Sequence, residues 1–223
     1  MNCVAIIVAG GVGKRFNSEL PKQFIELKGI PIIIRTISIF EQNENINSII
    51  ISMNEDWISH FREMLAPFDF KKIQSIVKGG EHRHNSVFNA LNTDIARSSD
   101  YILIHDAVRC FTSQKLLNEL IESVAKHGAA IPGIKPKDTV KQVNEEMTVS
   151  NTINRNSLVL IQTPQAFKKD IIFDSYEKMN DNTLATDDSY IVEQAGYKVQ
   201  VIEGEERNIK ITTPLDLEIA KLF

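Results

Sequence analysis

The stretch Val4-Ala5-Ile6-Ile7-Val8-Ala9-Gly10-Gly11-Val12-Gly13-Lys14-Arg15 constrains this chain most. A short, β-branched apolar run without polar alternation reads as a central strand buried on both faces, which points to a parallel sheet. The run ends in three glycines and two cations. Gly10, Gly11 and Gly13 tolerate positive φ and carry no side chain, so the backbone can close on a ligand. Successive N–H groups in such a loop form an anion-binding concavity, to which Lys14 and Arg15 add full charge. A polyphosphate suits that loop; a purely structural turn is the competing reading.

Two familiar glycine motifs fail here. A Walker loop needs Gly five residues before its Gly-Lys pair and Ser or Thr after the Lys, but Val8 and Arg15 hold those places. A dinucleotide fingerprint read from Gly11 needs Gly at 16, where Phe16 stands.

Strand and helix signals alternate along the chain, which predicts an α/β fold: a mostly parallel sheet with helices on both faces. Strands are expected over 48–53, 73–77, 101–105, 129–134, 158–161, 199–202 and 208–211. Pro31 opens a helix bearing Ile34, Ile37 and Phe40, and a second covers 55–65. Val87, Leu91 and Ile95 share one helical face. Thr112 or Ser113 caps a helix ended by Gly128, and another covers 168–179. Thr186 caps a helix closed by Gly196, and Thr213-Pro214-Leu215-Asp216 is a capping-box start. The polar, β-prone segments 137–142 and 148–154 break this rhythm and read as a projecting β-hairpin arm. A lone hairpin is unstable in water, so the arm, about residues 136–156, is expected to pack on another subunit. A homodimer with exchanged arms follows, each chain a single domain over 1–223.

Net charge is −4 without a basic block, which argues against nucleic acid as a partner. No apolar run approaches the ~20 residues of a membrane span, and the N-terminus lacks the signal-peptide pattern. Cys3 and Cys110 do not make a disulfide framework, so a reducing, cytoplasmic setting is expected.

In open parallel sheets ligands gather beyond the carboxyl ends of the strands. Three unusual groups follow predicted strands: Gly10–Arg15, Gly79–Ser86 and Asp106–Arg109. Asp106 could hold Mg²⁺ together with substrate phosphates, or cap a loop. Arg109 could present a bidentate fork to a phosphate, or form a surface salt bridge. Gly79 and Gly80 offer a second close backbone approach. Ser86 could bond a base or ribose, cap the following helix, or do both. Lys210, inside a strand-like run, needs an anion unless it lies on an exposed edge. His105 is expected to pack rather than react. His82 and His84 read as loop residues, because no matching Cys or acid cluster makes a zinc site.

These residues together carry a resemblance. Ala-Gly-Gly-x-Gly-x-Arg at 9–15, Pro21-Lys22-Gln23, Gly79-Gly80-x-x-Arg83-x-x-Ser86-Val87, His105-Asp106-Ala107-x-Arg109 and Lys137-Asp138-Thr139 appear in order. Arg155, Gln162-Thr163-Pro164-Gln165, Thr186-Asp187-Asp188 and Asn208-Ile209-Lys210 follow. The set closely resembles the 2-C-methyl-D-erythritol 4-phosphate cytidylyltransferase family over nearly the whole chain. The resemblance implies a Rossmann-like domain, an arm-exchanged homodimer and a place in the non-mevalonate isoprenoid pathway. It implies that Arg15, Lys22 and Lys210 are the catalytic cations on CTP, whose phosphates also meet Gly10, Gly11 and Gly13. It places cytosine and ribose near Gly79, Gly80 and Ser86, with Ala9 and Ala107 also on the nucleotide, and Mg²⁺ on Asp106. The polyol phosphate would meet Arg109, Thr139, Arg155, Thr163 and Thr186, in a pocket shared between subunits. One departure stands out: the family usually has Pro where this chain has Cys110, which frees φ and suggests sensitivity to thiol reagents.

The sequence shows no Ser-His or Cys-His nucleophile pair, and the implied reaction needs none, since a phosphate monoester is already a nucleophilic anion. Rival readings are a ribitol 5-phosphate cytidylyltransferase, a nicotinamide-dependent reductase and a nucleotide-binding regulator without turnover. The failed fingerprint counts against the reductase, and the full set Lys22, Asp106 and Lys210 counts against mere binding.

Overall fold

The computed structural model describes residues 1–11, 20–179 and 185–223. The chain enters on β1 (Cys3–Ala9); a short hairpin, β2 (Glu26–Leu27) and β3 (Ile30–Pro31), leads into α1 (Ile32–Glu41). β4 (Ser48–Met53) is followed by a 3-10 turn, α2 (Ile58–Leu65) and β5 (Ile73–Lys78). Next come α3 (Arg83–Leu91), the single turn α4 (Asp94–Arg97), β6 (Tyr101–Asp106), α5 (Gln114–His127) and β7 (Ala129–Ile134). The arm is β8 (Val140–Val143) and β9 (Val149–Ile153). β10 (Leu160–Ile161), β11 (Gln165–Lys168), α6 (Lys169–Glu177), α7 (Asp188–Gln194), β12 (Gln200–Glu203) and α8 (Pro214–Ala220) complete the chain.

Parallel pairing links β6, β1, β4 and β5 at one end of the main sheet and β7 with β12 at the other. Between them β11 runs antiparallel to both β6 and β7. β10 continues the same antiparallel line along β7, while β12 takes the opposite edge of that strand. Alternate strand residues face opposite layers. Cys3, Ala5 and Ile7 of β1 pack with Ile33, Ile37 and Phe40 of α1, Phe61 of α2 and Leu117 and Leu120 of α5. Val4 and Ile6 pack with Val87 and Leu91 of α3, Ile172 of α6 and Ile191 of α7. The expected mostly parallel sheet with helices on both faces is therefore present.

Several local expectations are corrected. The face traced by Val87, Leu91 and Ile95 is two helices, because Thr93 accepts from the Ala96 amide and starts α4 afresh. α3 begins at Arg83, so Ser86 lies inside it and His82 is its N-cap. Of the two candidate caps Ser113 is the one that starts α5, and Gly128 ends it as expected, at φ +88°. Asp187, not Thr186, caps α7 by accepting from the Tyr190 amide. The helix expected over 168–179 is present as α6, and β11, which is not expected, immediately precedes it. Residues 208–211 form no strand; the Ile211 amide bonds the Val108 carbonyl at 3.0 Å and the side chain packs beside Leu27, Ile32 and Cys110.

The arm projects as expected, an antiparallel pair with Val140 opposite Ile153. Val143, Met147 and Val149 are exposed on it. Its base is tied by the Arg155 guanidinium, which donates to the Lys137 carbonyl at 2.7 Å.

Candidate active site

β1 ends at Ala9, and Gly10 and Gly11 continue into the mouth of a cleft. Neither glycine takes positive φ, so the conformational argument for them does not hold. The reason at Gly10 is space: a Cβ there would stand 3.2 Å from the Ser86 hydroxyl, and one at Gly79 would stand 3.1 Å from the same oxygen. Gly13, Lys14 and Arg15 lie outside the described residues.

Lys22 reaches the cleft rim from a 3-10 turn. The neighbouring Gln23 is buried and donates to the Ala9 carbonyl at 2.7 Å, which fixes that turn against the end of β1. Gly80 comes from the loop after β5 and Ser86 from the first turn of α3; the Ser86 hydroxyl accepts from the Gly80 amide at 3.0 Å and donates to the His82 carbonyl. Asp106 and Ala107 enter at the end of β6, and Lys210 from the C-terminal segment. The cleft thus gathers most of the residues expected on the nucleotide.

Asp106 is the hub. Its Oδ2 lies 2.7 Å from Lys210 Nζ and 3.7 Å from Arg109 Nε, and its Oδ1 lies 3.2 Å from Arg83 Nε. Burial alone would raise this carboxyl, but Arg83, Lys210 and Arg109 overwhelm it and hold Asp106 far below the usual carboxylate range. Lys210 therefore has the anion that its position demands.

Sequence reading gave Arg83 no role, yet it bridges two carboxylates. Its Nη1 donates at 2.6 Å to Asp188, a fully buried residue that also accepts from the Tyr176 hydroxyl at 2.8 Å. Burial disfavours the Arg83 cation, and Asp188 and Asp106 more than compensate. Gln165 braces the site from β11: its Oε1 accepts from the Asp188 and Ser189 amides and its Nε2 donates to Asp187. Buried Asn208 holds the other flank, accepting from Arg109 at its carbonyl and from Thr112 at its side chain, and donating to the Thr163 carbonyl.

The acceptor-side residues are scattered. Arg109 lies partly buried beside Asp106. Thr163 lies beneath the cleft, where its hydroxyl accepts from the Asp106 amide at 3.1 Å and meets His105 Nδ1 at 3.0 Å. His105 is fully buried against Phe40, and burial lowers its pKa to about 4, so it packs as expected. Thr186 is exposed ahead of α7. Thr139 is exposed on the arm, and Arg155 lines a separate cleft with Lys137, Asn156 and Glu206. His84 is buried in α3 rather than in a loop, its ring stacked on His82.

For a metal, the cleft offers the carboxylates of Asp106 and Glu81. Among the described residues no three His, Cys, Asp or Glu side chains cluster as a metal site. Oxygen donors this few suit a hard cation that shares its coordination with substrate phosphates and water. No helix among the described residues is long and apolar enough to cross a membrane.

The pairs Gly10-Gly11 and Gly79-Gly80 and a carboxylate ringed by cations at the strand ends mark a nucleotidyltransferase of Rossmann-like fold. A solved 4-diphosphocytidyl-2C-methyl-D-erythritol synthase from Anaerococcus prevotii DSM 20548 superposes with a TM-score of 0.87 at 35% identity, covering 99% of this chain and 95% of its own. The family model described as 2-C-methyl-D-erythritol 4-phosphate cytidylyltransferase matches residues 3–223, and the chain belongs to that family. Proteins of that name from Clostridium perfringens (strain SM101 / Type A) and Geobacillus kaustophilus (strain HTA426) are 46% and 42% identical over 222 residues. Those alignments cover 99% of this chain and 97% and 96% of the relatives. The matches favour the methylerythritol reading over the ribitol, reductase and regulator alternatives.

Proposed function

We propose that the protein transfers the cytidylyl group of CTP to 2-C-methyl-D-erythritol 4-phosphate, releasing pyrophosphate, as a step of non-mevalonate isoprenoid precursor synthesis. The observation that carries this reading is the cation surplus at the strand ends: Arg83, Arg109 and Lys210 against Asp106 and Asp188.

The acceptor phosphate is largely dianionic near neutral pH, its second pKa being ~6. Its oxygen attacks the α-phosphorus of CTP, and the bond to pyrophosphate breaks. No side chain need remove a proton. The obstacle is bringing two anions together in line, and fixed positive groups address both repulsion and alignment. Lys22 and Lys210, with Arg15 from the glycine loop, take the triphosphate; Gly10, Gly11 and Gly13 let the backbone approach it. Gly79, Gly80, Ser86, Ala9 and Ala107 seat the nucleoside. Asp106, kept ionised by its neighbours, would hold Mg²⁺ with the phosphates, and the ion would neutralise charge there. Arg109, Thr139, Arg155, Thr163 and Thr186 serve the acceptor end.

Thr139 and Arg155 sit away from the Asp106 cleft within one chain. We therefore propose a homodimer in which the arm of one protomer completes the partner's pocket. The exposed Val143, Met147 and Val149 on the arm support that arrangement. Two free, buried thiols fit work in the cytoplasm.

The test is pyrophosphate release from CTP with each polyol phosphate in parallel, with and without Mg²⁺. Release with 2-C-methyl-D-erythritol 4-phosphate and Mg²⁺ is expected. Release only with ribitol 5-phosphate, or none with either, would overturn the assignment.

A further inference from the structure

Lys22 opens a short 3-10 turn, Lys22–Phe24. The Phe24 amide closes it on the Pro21 carbonyl at 2.9 Å, and the Ile25 amide on the Lys22 carbonyl at 3.2 Å. With about three residues per turn, successive side chains leave such a helix in three different directions. Phe24 goes into the core: it is 2% exposed, and its ring centroid lies 5.5 Å from those of Trp57 and His60 and 6.3 Å from that of Phe61. Gln23, 4% exposed, goes to the end of β1, where its Nε2 donates to the Ala9 carbonyl at 2.7 Å. Lys22 takes the remaining direction, onto the rim of the cleft. One residue earlier on β1, the Val8 carbonyl accepts from the Ala107 amide at 3.0 Å. The last two carbonyls of β1 thus tie it to separate parts of the cleft, the turn after β6 and the turn that carries Lys22.

We propose that Gln23 is a positioning residue for Lys22. Its carboxamide hooks the Lys22 turn onto the strand that leads into Gly10 and Gly11, while Phe24 plugs the same turn into the core. Two of the three directions are then fixed by the protein, and the third, that of the lysine, follows from them. A carboxamide suits this task because it brings to the carbonyl a donor that an apolar side chain of equal length lacks. A cation that must meet charge developing on a phosphate works by standing in place beforehand. Letting it drift weakens the transition state more than the binding of substrate. The kinetic half of the proposal rests on the transfer and the role of Lys22 proposed above; its structural half does not.

Amide hydrogen exchange, followed by NMR in the full chain, reads the structural half. Gln23→Met keeps the length of the side chain and removes the donor. In that variant the Phe24 and Ile25 amides are expected to exchange about fivefold faster, the scale of one lost hydrogen bond, with those of α5 unchanged. Unaltered exchange at Phe24 and Ile25 would overturn the proposal whatever the enzyme transfers. In the chain without substitutions the Gln23 carboxamide is expected to be protected from exchange; rapid exchange of both its protons would overturn the proposal even if Gln23→Met did not fold. Kinetically, Gln23→Met is expected to lower kcat on the order of tenfold, with the KM for CTP moving less than about twofold. Adding Gln23→Met to Lys22→Ala is expected to cost less than about twofold more, because the first residue acts through the second. The same tenfold loss in both backgrounds would mark a general structural effect and defeat the proposal, as would an intact kcat in Gln23→Met. Failure of the unaltered chain to turn over would defeat the transfer reading and leave the exchange result to decide.

Discussion

The cleft around Asp106 and the arm treat charge in opposite ways. At the cleft Lys210, Arg109 and Arg83 close on one buried carboxylate, and Arg83 is anchored behind by Asp188. At the arm Thr139 lies exposed, and the Arg155 guanidinium donates to the Lys137 carbonyl at the hairpin's own base. Cations already aimed and desolvated exert strong, fixed fields, whereas an exposed one is screened by water. On the proposed assignment, the nucleotide end would be prearranged within one chain, while the acceptor end would depend on what the arm meets.

The largest loss is expected on removing a cleft cation. Lys210→Ala, Lys22→Ala and Arg15→Ala are each expected to lower kcat/KM by about 10²-fold or more, the ~2.7 kcal/mol scale of one preorganised electrostatic contact. Near-normal steady-state rates in all three would refute the prearranged half. Arg155→Ala tests the other half and is expected to raise the acceptor KM by about tenfold, the ~1.5 kcal/mol of a hydrogen bond to a charged group. Mixing Arg155→Ala chains with Lys22→Ala chains should then raise kcat/KM above that of either variant alone, since a mixed dimer of the proposed kind holds one intact pocket. No recovery after subunit exchange would argue that each chain works with its own arm.

A smaller effect concerns acid. His105 titrates at about 4 in the folded chain against an ordinary 6.5, because burial disfavours its charged form. The unfolded chain therefore binds more protons in this window, so stability falls as pH drops from 6.5 towards 4. His84, lowered by burial and then by His82, adds in the same direction. Asp106, held far below the carboxylate range, keeps its contribution throughout that window. Urea unfolding at pH 7.5, 6 and 5 should show a declining midpoint; a flat profile would contradict the buried, neutral imidazole. The smallest effect is expected at the thiols. Burial pushes both Cys3 and Cys110 up to about 11, so an alkylating reagent at pH 8 should leave turnover nearly unchanged. This reverses the sensitivity suggested by Cys110 standing where the family usually has Pro, because the thiol is packed against Leu27, Ile32 and Val108.

The layered architecture was legible because long apolar runs and capping residues are local signals. Residues 48–53 and 129–134 are strands with the expected bounds, and the capping box at Thr213 and Asp216 is formed. β11 was not legible: Gln165-Ala166-Phe167-Lys168 has no β-branched residue, and pairing on both sides makes it a strand. At 208–211 the alternation is real, with Ile209 and Ile211 packed inward, but among the described residues no strand pairs with it. Within the site, Asp106 and Lys210 announced themselves by sitting at or inside apolar runs. The Arg83–Asp188 pair spans 105 positions, and nothing near either residue signals the other.

Leu160 pairs with Ile134, so the chain departs from the sheet and rejoins it beside the strand it left. The two ends of the excursion over 135–159 are held about 5 Å apart, one strand spacing. Such a segment behaves as a detachable cassette: its length or identity can change without retying the sheet, much as surface insertions are absorbed elsewhere. If the arm serves the acceptor as proposed, exchanging this segment would alter the choice of polyol and leave the cleft around Asp106 untouched.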